Sequence, residues 1–275
     1  NINGPHQGGW VTTQTGEDWF LHFQDKNAYG RVVHLQPMKW VNDWPVIGVD
    51  KDGDGVGEPV LVYKKPNVGK IYSITTLRDS DEFNDPRLGF QWQWQANPDG
   101  KWAFPTTHGY IRMFSVYKPD SNLWISPNIL AQKFPAEEFS ATTKLDFNPL
   151  HENERFGLIV FGADYAYISI KKKADGNYIT FNECLKGDKQ SAEMETQVER
   201  FLGISVFLKV SVHSAAVCAF SYSENGKEFK AIGKSFIAKP GRWVGAKVGM
   251  FCSRVNNTND AGFADIDWFR IEPLK

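Results

Sequence analysis

The chain has 275 residues, of which 41% are hydrophobic and 14% aromatic, so it can bury at least one large core. Its 31 basic and 32 acidic side chains nearly cancel, leaving a net charge of −1. This balance excludes the basic footprint of a nucleic-acid-binding protein and of a protein held at an anionic membrane. No apolar run reaches the roughly 20 residues that a membrane-spanning helix needs.

The first forty residues predict a β-meander. Aromatic-rich apolar stretches at residues 6–11, 19–23 and 31–37 are separated by turn-forming segments that contain Gly16 and Gly30. A chain that opens inside such a meander is expected to lack the strands that precede it in the complete fold. No secretion signal is visible at this start, and because the start looks internal, its absence does not argue for the cytoplasm.

A domain boundary is predicted near residues 64–80. Residues 64–70 read KKPNVGK, a polar segment with proline and glycine that is typical of linkers. We therefore assign residues 1–77 to a meander about the size of one four-stranded propeller blade, and residues 78–275 to a second domain. One blade cannot bury both of its faces alone, so it either packs on the second domain or belongs to a larger propeller.

The second domain is predicted to be a two-sheet sandwich of the jelly-roll type. Apolar residues alternate with period two along residues 156–161, 165–170, 206–212 and 263–271, and Gly, Asn and Asp turn signals separate such segments. Helical periodicity is scarce, so the predicted fold class is all-β: a β-propeller segment followed by a jelly-roll β-sandwich. Residues 128–138 are predicted to be irregular.

The three cysteines, Cys184, Cys218 and Cys252, are far apart in the sequence and lie in or beside apolar strand patterns. This placement predicts buried reduced thiols rather than a disulfide framework or a metal site. No Gly-x-Ser-x-Gly elbow, Cys/His metal spacing or phosphate-binding glycine loop occurs in the sequence. Serine-nucleophile hydrolysis and nucleotide chemistry therefore have no support.

Residues 50–58 (DKDGDGVGE) begin like a calcium-binding loop. Asp50, Asp52 and Asp54 place carboxylates at alternate positions, and the glycine that follows permits a sharp turn around a hard cation. Leu61 stands where an EF-hand has its bidentate Glu, and the flanking segments have strand patterns, so an EF-hand is excluded. A tight, solvated β-turn is the alternative to a structural Ca²⁺ site, and we slightly favour the turn.

Tryptophans of the second domain offer rings on which sugars could stack. These residues are Trp92, Trp94, Trp102 and Trp124. Trp92 and Trp94 share one face of a predicted strand, and large aromatic side chains mostly serve as core residues. We therefore favour core positions for these side chains.

The sequence resembles a known family in two sets of segments. The first set comprises residues 6–11 (HQGGWV), 16–20 (GEDWF), 30–31 (GR), 35–37 (LQP) and 44–45 (WP); the second comprises residues 90–94 (FQWQW), 109–112 (GYIR), 220–223 (FSYS), 245–251 (GAKVGMF) and 264–269 (ADIDWF). The first set resembles the last propeller blade of glycoside hydrolase family 43, in its β-xylosidase/α-L-arabinofuranosidase subgroup. The second set resembles the C-terminal concanavalin-like sandwich of that subgroup.

The resemblance implies a five-bladed propeller whose centre removes one pentose with inversion at the anomeric carbon. Inversion needs an acid on one side of the sugar and a base with its water on the other, with the two carboxyl groups roughly 6.5–9.5 Å apart. In the family these roles belong to a Glu acid and an Asp base, and a second Asp positions the acid. All three lie in earlier blades and have no match here, so this segment has no predicted catalytic residue and is expected to be inactive alone.

The resemblance also assigns site residues. His6 aligns with the histidine on the propeller axis, which helps to hold a central hydrated cation. Arg31 aligns with an arginine that lines the sugar pocket, and Gln7 is placed on the rim of that pocket. In relatives, structural calcium often lies where the first and last sandwich strands meet. Glu82 and Asp267 are the candidate ligands there, beside Asp81 and Asp265, and ordinary edge carboxylates are the alternative explanation.

We therefore interpret the chain as the C-terminal part of an exo-acting, inverting glycosidase that releases α-L-arabinofuranose or β-D-xylose from arabinoxylan, arabinan or xylo-oligosaccharides. Its expected partners are these pentose-containing saccharides and an N-terminal propeller segment that carries the carboxylates. The polar loop at residues 253–259 is predicted to close the pocket on its leaving-group side. The alternative is a non-catalytic carbohydrate-binding or scaffold sandwich. A periplasmic or extracellular location is favoured over the cytoplasm.

Overall fold

The computed structural model describes residue 2, residues 6–118 and residues 122–274. The chain divides into two compact units, Asn1–Thr76 and Leu77–Lys275. Strands dominate both units, and the helical segments are single 3₁₀ turns at Asn27–Tyr29, Gly187–Lys189 and Ser214–Ala216. None of the helices in the described part of the chain is long and apolar enough to cross a membrane.

The first unit contains one antiparallel sheet, here called the meander sheet, with the strand order β1-β2-β3-β4. Its strands are β1 (His6–Thr12), β2 (Asp18–Asp25), β3 (Arg31–Val41) and β4 (Trp44–Ile47). Each strand pairs with its sequence neighbour because the connections are tight turns, as at Gly16, whose φ of 83° suits glycine. This up-and-down topology is that of one propeller blade.

Large apolar side chains of the meander sheet remain exposed. Val33 is 66% and Trp44 is 72% accessible, and Trp10 and Trp40 are about half accessible although their rings meet edge to face at 5.2 Å. An isolated sheet with one buried face normally presents polar side chains on its other face. The meander sheet therefore has apolar surface that the described residues do not cover.

The second unit is built from two eight-stranded sheets. The first sandwich sheet has the order β17-β16-β15-β10-β20-β7-β6, with β18 paired to β16. Its strands are β6 (Ala103–Pro105), β7 (Ile111–Phe114), β10 (Phe139–Asn148), β15 (Ser205–His213), β16 (Val217–Ser223), β17 (Lys230–Ala231), β18 (Phe236–Ile237) and β20 (Phe263–Glu272).

The second sandwich sheet has the order β14-β13-β12-β11-β19-β9-β5, with β8 paired in parallel to β19. Its strands are β5 (Gln93–Trp94), β8 (Val116–Tyr117), β9 (Leu130–Lys133), β11 (Arg155–Phe161), β12 (Tyr165–Lys173), β13 (Gly176–Cys184), β14 (Met194–Phe201) and β19 (Lys247–Arg254).

The core lies between the two sandwich sheets. Alternate residues of β15, such as Val206 and Leu208, are fully buried, as the period-two pattern requires when one face packs inward. Phe181 of one sheet meets Phe220 of the other with ring centroids 5.6 Å apart. The all-β fold class and the sandwich predicted from the sequence are thus confirmed.

Every residue of β11 is buried, so both faces of the second sandwich sheet are covered at this strand. The outer face carries Ile159 and Phe161, against which Leu123 and Ile129 pack from a preceding segment. The same segment continues into β9, which pairs with β19. The prediction that residues 128–138 are irregular is therefore wrong for Leu130–Lys133, because pairing with a strand far along the chain recruits a segment without clear alternation.

The cysteine prediction is confirmed. Cys184, Cys218 and Cys252 are all buried free thiols. Burial raises the pKa of Cys218 to about 12, which leaves this thiol protonated and unreactive at neutral pH.

Candidate functional site

Gln7 and Arg31 lie at the same end of the meander sheet. The start of β1 pairs with the end of β2, where His6 stands opposite Phe23. The end of β2 in turn pairs with the start of β3, where Asp25 stands opposite Arg31. Adjacent strands are about 4.8 Å apart, so the first residues of β1 and β3 border one compact region. The side chain of His6, the predicted cation-binding residue, lies outside the described part of the structure.

Gln7 is the extra residue of a β-bulge. The register between β1 and β2 shifts between His6 and Gly8, and Gln7 has a φ of 32°, which is unusual for a residue with a side chain. A bulge bends its strand and redirects the side chain away from the regular alternation. Gln7 is exposed, so its amide is available to a ligand at the end of the sheet.

Arg31 is exposed at the first position of β3, and its guanidinium carbon lies 4.6 Å from the centroid of the Phe23 ring. Stacking on an aromatic face restricts the orientation of the planar guanidinium. Such a fork can donate to the hydroxyl groups of a sugar or to a carboxylate. The substrate-binding role of Arg31 stays a prediction, with which this geometry is compatible.

Two stacked histidines on β2 and β3 were not predicted as functional residues. His22 stands opposite His34, with ring centroids 5.3 Å apart and planes 25° from parallel. Burial lowers the pKa of His34, and the nearby His22 and Lys26 add to this effect. Within the described residues, the buried Nε2 of His34 has no hydrogen-bond partner. Histidine at inward positions of two adjacent apolar strands is the sequence signal that could have revealed this pair.

The structure brings the carboxylates of Asp50, Asp52 and Asp54 within 4.8 Å of one another, all on an exposed loop. Asp50 accepts hydrogen bonds from the backbone N–H groups of Gly53 and Gly55 at 2.7 and 3.0 Å, which closes the loop without a cation. This arrangement is chemically suited to Ca²⁺, because each carboxylate keeps lone pairs that point to solvent. The solvated turn and the calcium site both remain compatible with it.

Glu82 and Asp267 each have a cationic partner. Arg270 donates two hydrogen bonds to Glu82, at 2.7 and 2.8 Å, and this lowers the pKa of the carboxyl group. Lys144 donates to Asp267 at 2.9 Å. These separate pairings favour the explanation as ordinary edge carboxylates over a shared calcium ion, because a carboxylate already neutralised by a side chain attracts a cation less strongly.

The neighbouring carboxylates Asp81 and Asp265 also have protein partners. Asp265 accepts a bidentate hydrogen bond from Arg112, at 2.7 and 2.8 Å. Asp81 is buried and accepts from the indole N–H of Trp92 at 2.9 Å and from the backbone of Phe83 at 3.0 Å. Trp92 is thus a core residue, as predicted. At this edge, Glu82 ties the start of the sandwich unit to Arg270 of β20, and Asp265 of β20 pairs with Arg112 of β7.

A buried ionic network lies on the outer face of the second sandwich sheet. Glu193 accepts hydrogen bonds from Arg155 at 2.6 Å, from Tyr165 at 2.7 Å and from Tyr167 at 2.8 Å. The side chains of Arg155 and Glu193 are only 9% and 6% accessible. Burial raises the pKa of Tyr165 and Tyr167, so both phenols remain hydrogen-bond donors. No local sequence pattern indicates this network, because its members come from three separate segments.

The loop at residues 253–259 is held by the side chain of Arg254. Its guanidinium donates to the carbonyl oxygens of Asn256 at 3.1 Å and Thr258 at 3.0 Å, and also to that of Ser115. Arg254 thereby connects the loop to the residue between β7 and β8 and fixes the path of the loop. Val255 is exposed and borders a cavity that Arg155 and Glu193 also line, so the loop adjoins the buried ionic network.

Comparison with known proteins agrees with this architecture. Residues 80–272 match the family model of the β-xylosidase C-terminal concanavalin A-like domain. The chain is 30% identical over 297 residues to a β-xylosidase from Formosa agariphila, which covers 99% of this chain and 48% of that protein. It is 24% identical over 253 residues to a non-reducing end α-L-arabinofuranosidase from Bacteroides ovatus, covering 89% of this chain and 45% of that protein.

A solved structure has the same fold. The bifunctional GH43-CE protein of Bacteroides eggerthii superposes with a TM-score of 0.82 at 26% identity, over 99% of this chain and 34% of that one. The chain spans about half the length of the curated relatives it matches.

A four-stranded meander followed by a two-sheet sandwich defines an all-β protein of the concanavalin-like class. The chain belongs to glycoside hydrolase family 43, and its residues 80–272 are the C-terminal concanavalin A-like domain of that family.

Proposed function

We propose that this chain forms part of an exo-acting, inverting glycosidase that releases β-D-xylose or α-L-arabinofuranose from pentose-containing saccharides. Membership of glycoside hydrolase family 43 carries this proposal. The relatives described as a β-xylosidase and an α-L-arabinofuranosidase support the substrate class, and they are about twice as long as this chain. We place the acid and base carboxylates in a propeller segment outside these 275 residues.

The uncovered apolar surface of the meander sheet supports the existence of further blades. Burial of apolar surface contributes about 25 cal/mol per Å², so exposed Trp10, Val33 and Trp44 favour packing against another layer. An adjacent blade would supply the apolar contacts that these side chains lack.

In this proposal Arg31 and Gln7 contact the sugar, and His6 helps to hold a central cation. Arg31 would donate to a sugar hydroxyl through a guanidinium already oriented by Phe23. Gln7 would contribute an amide from the bulge at the pocket rim.

The test compares the 275-residue chain with the full product of its gene, which this proposal expects to be longer. We expect the longer protein to hydrolyse 4-nitrophenyl β-D-xylopyranoside or 4-nitrophenyl α-L-arabinofuranoside, and the 275-residue chain alone to hydrolyse neither. The substrate that is hydrolysed faster identifies the activity. NMR of the first-formed product should show the inverted anomer. A gene with nothing upstream of Asn1, or an inactive longer protein, would contradict the proposal.

The role of Arg31 is tested in the longer protein. Arg31→Ala should lower kcat/KM by about 100-fold, because a charge-assisted hydrogen bond at the reacting sugar is lost. Arg87→Ala is the matched control, since Arg87 is exposed on the sandwich unit and has no assigned role. Equal kcat/KM values for both variants would contradict the proposal that Arg31 contacts the sugar.

A further inference from the structure

The sandwich unit has a cavity of about 580 Å³ that none of the roles above uses. The residues that line it are Trp124, Ala163, Asp188, Lys189, Gly241 and Arg242. Small-molecule sites usually enclose roughly 300–1,000 Å³ and combine apolar or aromatic walls with a few polar groups. This cavity has both the volume and the mixed lining of such a site.

Trp124 is the aromatic wall of the cavity. Its ring stacks on Phe161 with centroids 5.5 Å apart and planes 22° from parallel, and Phe161 stacks on Tyr165 at 5.6 Å. One face of the indole is therefore covered by a ladder of core rings. Trp124 is only partly buried, so the rest of its surface is left to the cavity.

The backbone around Trp124 is held by buried polar groups. The N–H of Trp124 donates to Asn122 at 3.1 Å, and the side-chain amide of Asn122 donates to the carbonyl of Ser191 at 2.9 Å. The N–H of Leu123 donates to the hydroxyl of Tyr165 at 2.5 Å. These contacts fix the indole before any ligand arrives, which lowers the entropic cost of binding.

The polar wall of the cavity comes from loops that are hydrogen-bonded to one another. The N–H of Gly187 donates to Ala163 at 2.7 Å, and the N–H of Ala163 donates to Pro240 at 3.0 Å. Asp188 and Lys189 lie in the 3₁₀ turn that begins at Gly187, and the Nζ of Lys189 lies 3.3 Å from the Oδ2 of Asp188. Arg242 lies in the loop that contains Pro240. It is exposed, and in the described part of the chain it forms no ion pair.

We propose that this cavity of the sandwich unit is a saccharide-binding site, which takes a xylopyranose-based oligosaccharide. The ring hydroxyls of β-xylopyranose are equatorial, so each face of the sugar presents C–H groups that can lie on the negative face of an indole. The equatorial hydroxyls then point sideways, where Asp188 accepts and Arg242 donates hydrogen bonds. A puckered arabinofuranose offers a less flat C–H face and fits this platform less well.

The choice of a pentose saccharide rests on the proposed function, whereas the site itself rests on the cavity and its walls. Anchoring the polymer on the sandwich would raise the local concentration of chain ends near the enzyme, as in any two-site binder. The two proposals fail in different measurements, because the propeller pocket is tested by hydrolysis of aryl pentosides and this cavity by binding alone.

The test is isothermal titration of the 275-residue chain with xylohexaose. We expect measurable binding by the unmodified chain. Trp124→Ala should weaken it at least about tenfold, equivalent to roughly 1.4 kcal/mol. Arg242→Ala should weaken it about threefold or more, and it leaves the core untouched because Arg242 is exposed. The matched controls are Trp94→Ala, another partly buried tryptophan of the same unit, and Arg87→Ala.

Two results would overturn the proposal: no binding of xylohexaose, or binding that Trp124→Ala and Arg242→Ala leave unchanged. Circular dichroism of each variant identifies any loss of fold. If Trp124→Ala does not fold, the affinity of Arg242→Ala for xylohexaose decides between the proposal and its failure. Cellohexaose, which also has flat pyranose rings, is expected to bind more weakly because its hydroxymethyl groups widen the chain. Equal affinity for both sugars would overturn the assignment to xylose.

Discussion

At the scale of single residues, the largest energetic effects are expected in the buried ionic network around Glu193. Glu193→Gln removes the charge that compensates the buried guanidinium of Arg155, 2.6 Å away. Loss of one partner of a buried pair usually costs about 3–5 kcal/mol. We therefore expect the free energy of unfolding, measured in urea, to fall by about 3 kcal/mol.

Glu82→Gln is the control for that measurement. Glu82 also forms a bidentate pair, with Arg270, but these side chains are 49% and 45% accessible. Exposed pairs contribute about 0–1 kcal/mol, so this variant should unfold at nearly the urea concentration of the unmodified chain. Similar losses for Glu82→Gln and Glu193→Gln would contradict the argument from burial.

His34 makes the stability of the chain depend on pH. Its pKa is lowered from the usual 6.5 by burial, so the unfolded chain takes up a proton at a higher pH than the folded chain does. The contribution of His34 is complete above the unfolded pKa and is lost as the pH falls through the folded pKa. We expect the loss of Tm between pH 7.5 and 5.5 to be smaller in His34→Gln.

The exposed His213 provides the comparison for this experiment. His213→Gln should keep the same change in Tm between pH 7.5 and 5.5 as the unmodified chain. If His34→Gln also keeps it, the stacked histidines do not contribute to the pH dependence of stability.

At the scale of elements, the pairing of β19 with β9 depends on a glycine. A Cβ at Gly249 would lie 2.1 Å from the carbonyl oxygen of Leu130 and 2.6 Å from the Cβ of Ala131. Because these contacts are with backbone and a short side chain, Gly249→Ala forces the two strands apart. Overpacking of this kind costs about 1–3 kcal/mol, measured as the change in unfolding free energy.

Gly100→Ala is the matched glycine control, since no atom lies within 4 Å of a Cβ built there. This variant should change the unfolding free energy by less than about 0.5 kcal/mol. A stability of Gly249→Ala equal to that of Gly100→Ala would show that β9 is not held closely against β19.

The loop with Asp50, Asp52 and Asp54 stays a candidate Ca²⁺ site beside the slightly favoured solvated turn, and a thermal-unfolding titration distinguishes the two. Calcium at about tenfold above its dissociation constant would stabilise the folded state by about 1.4 kcal/mol. Asp52→Asn should abolish the rise in Tm, because it removes one of the clustered charges. Asp43→Asn, in another exposed turn of the same unit, should retain it. A Tm that calcium leaves unchanged supports the solvated turn.

At the scale of the whole molecule, the two compact units differ in how much of their apolar surface they bury. The sandwich unit buries a core between two sheets, whereas the meander sheet leaves Val33 and Trp44 exposed. A truncated chain of residues 77–275 should therefore unfold in one cooperative transition. It should also bind less of the dye ANS than the 275-residue chain, because ANS reports exposed apolar surface.

A chain of residues 1–76 alone should fail to show cooperative unfolding, since a single sheet with uncovered apolar faces is marginal in water. Cooperative unfolding of this fragment would contradict the interpretation that the meander sheet needs further layers. Aggregation of residues 77–275 would contradict the independence of the sandwich.

The amino-acid sequence by itself determined the elements whose signals are local. Alternation along 206–212 and 263–271 predicted β15 and β20, because the side-chain period of a strand is visible in a few consecutive residues. Residues 156–161 and 165–170 do form strands, β11 and β12, but the alternation predicted for them is wrong: every residue of both segments is buried, because both faces of the sheet are covered there. Burial of the three thiols followed from their apolar neighbours in the same way. The family resemblance also rests on sequence, because its motifs are contiguous.

Only the tertiary structure decided which distant residues meet. The pairing of Asp265 with Arg112, the convergence of Arg155 and Glu193, and the recruitment of Leu130–Lys133 into a sheet depend on strand order. Trp124 packs on the core ring of Phe161 and also lines the cavity, because loops from elsewhere in the chain form the opposite wall of that cavity. Strand order is set by the packing of the whole sandwich, and no local pattern of residues encodes it.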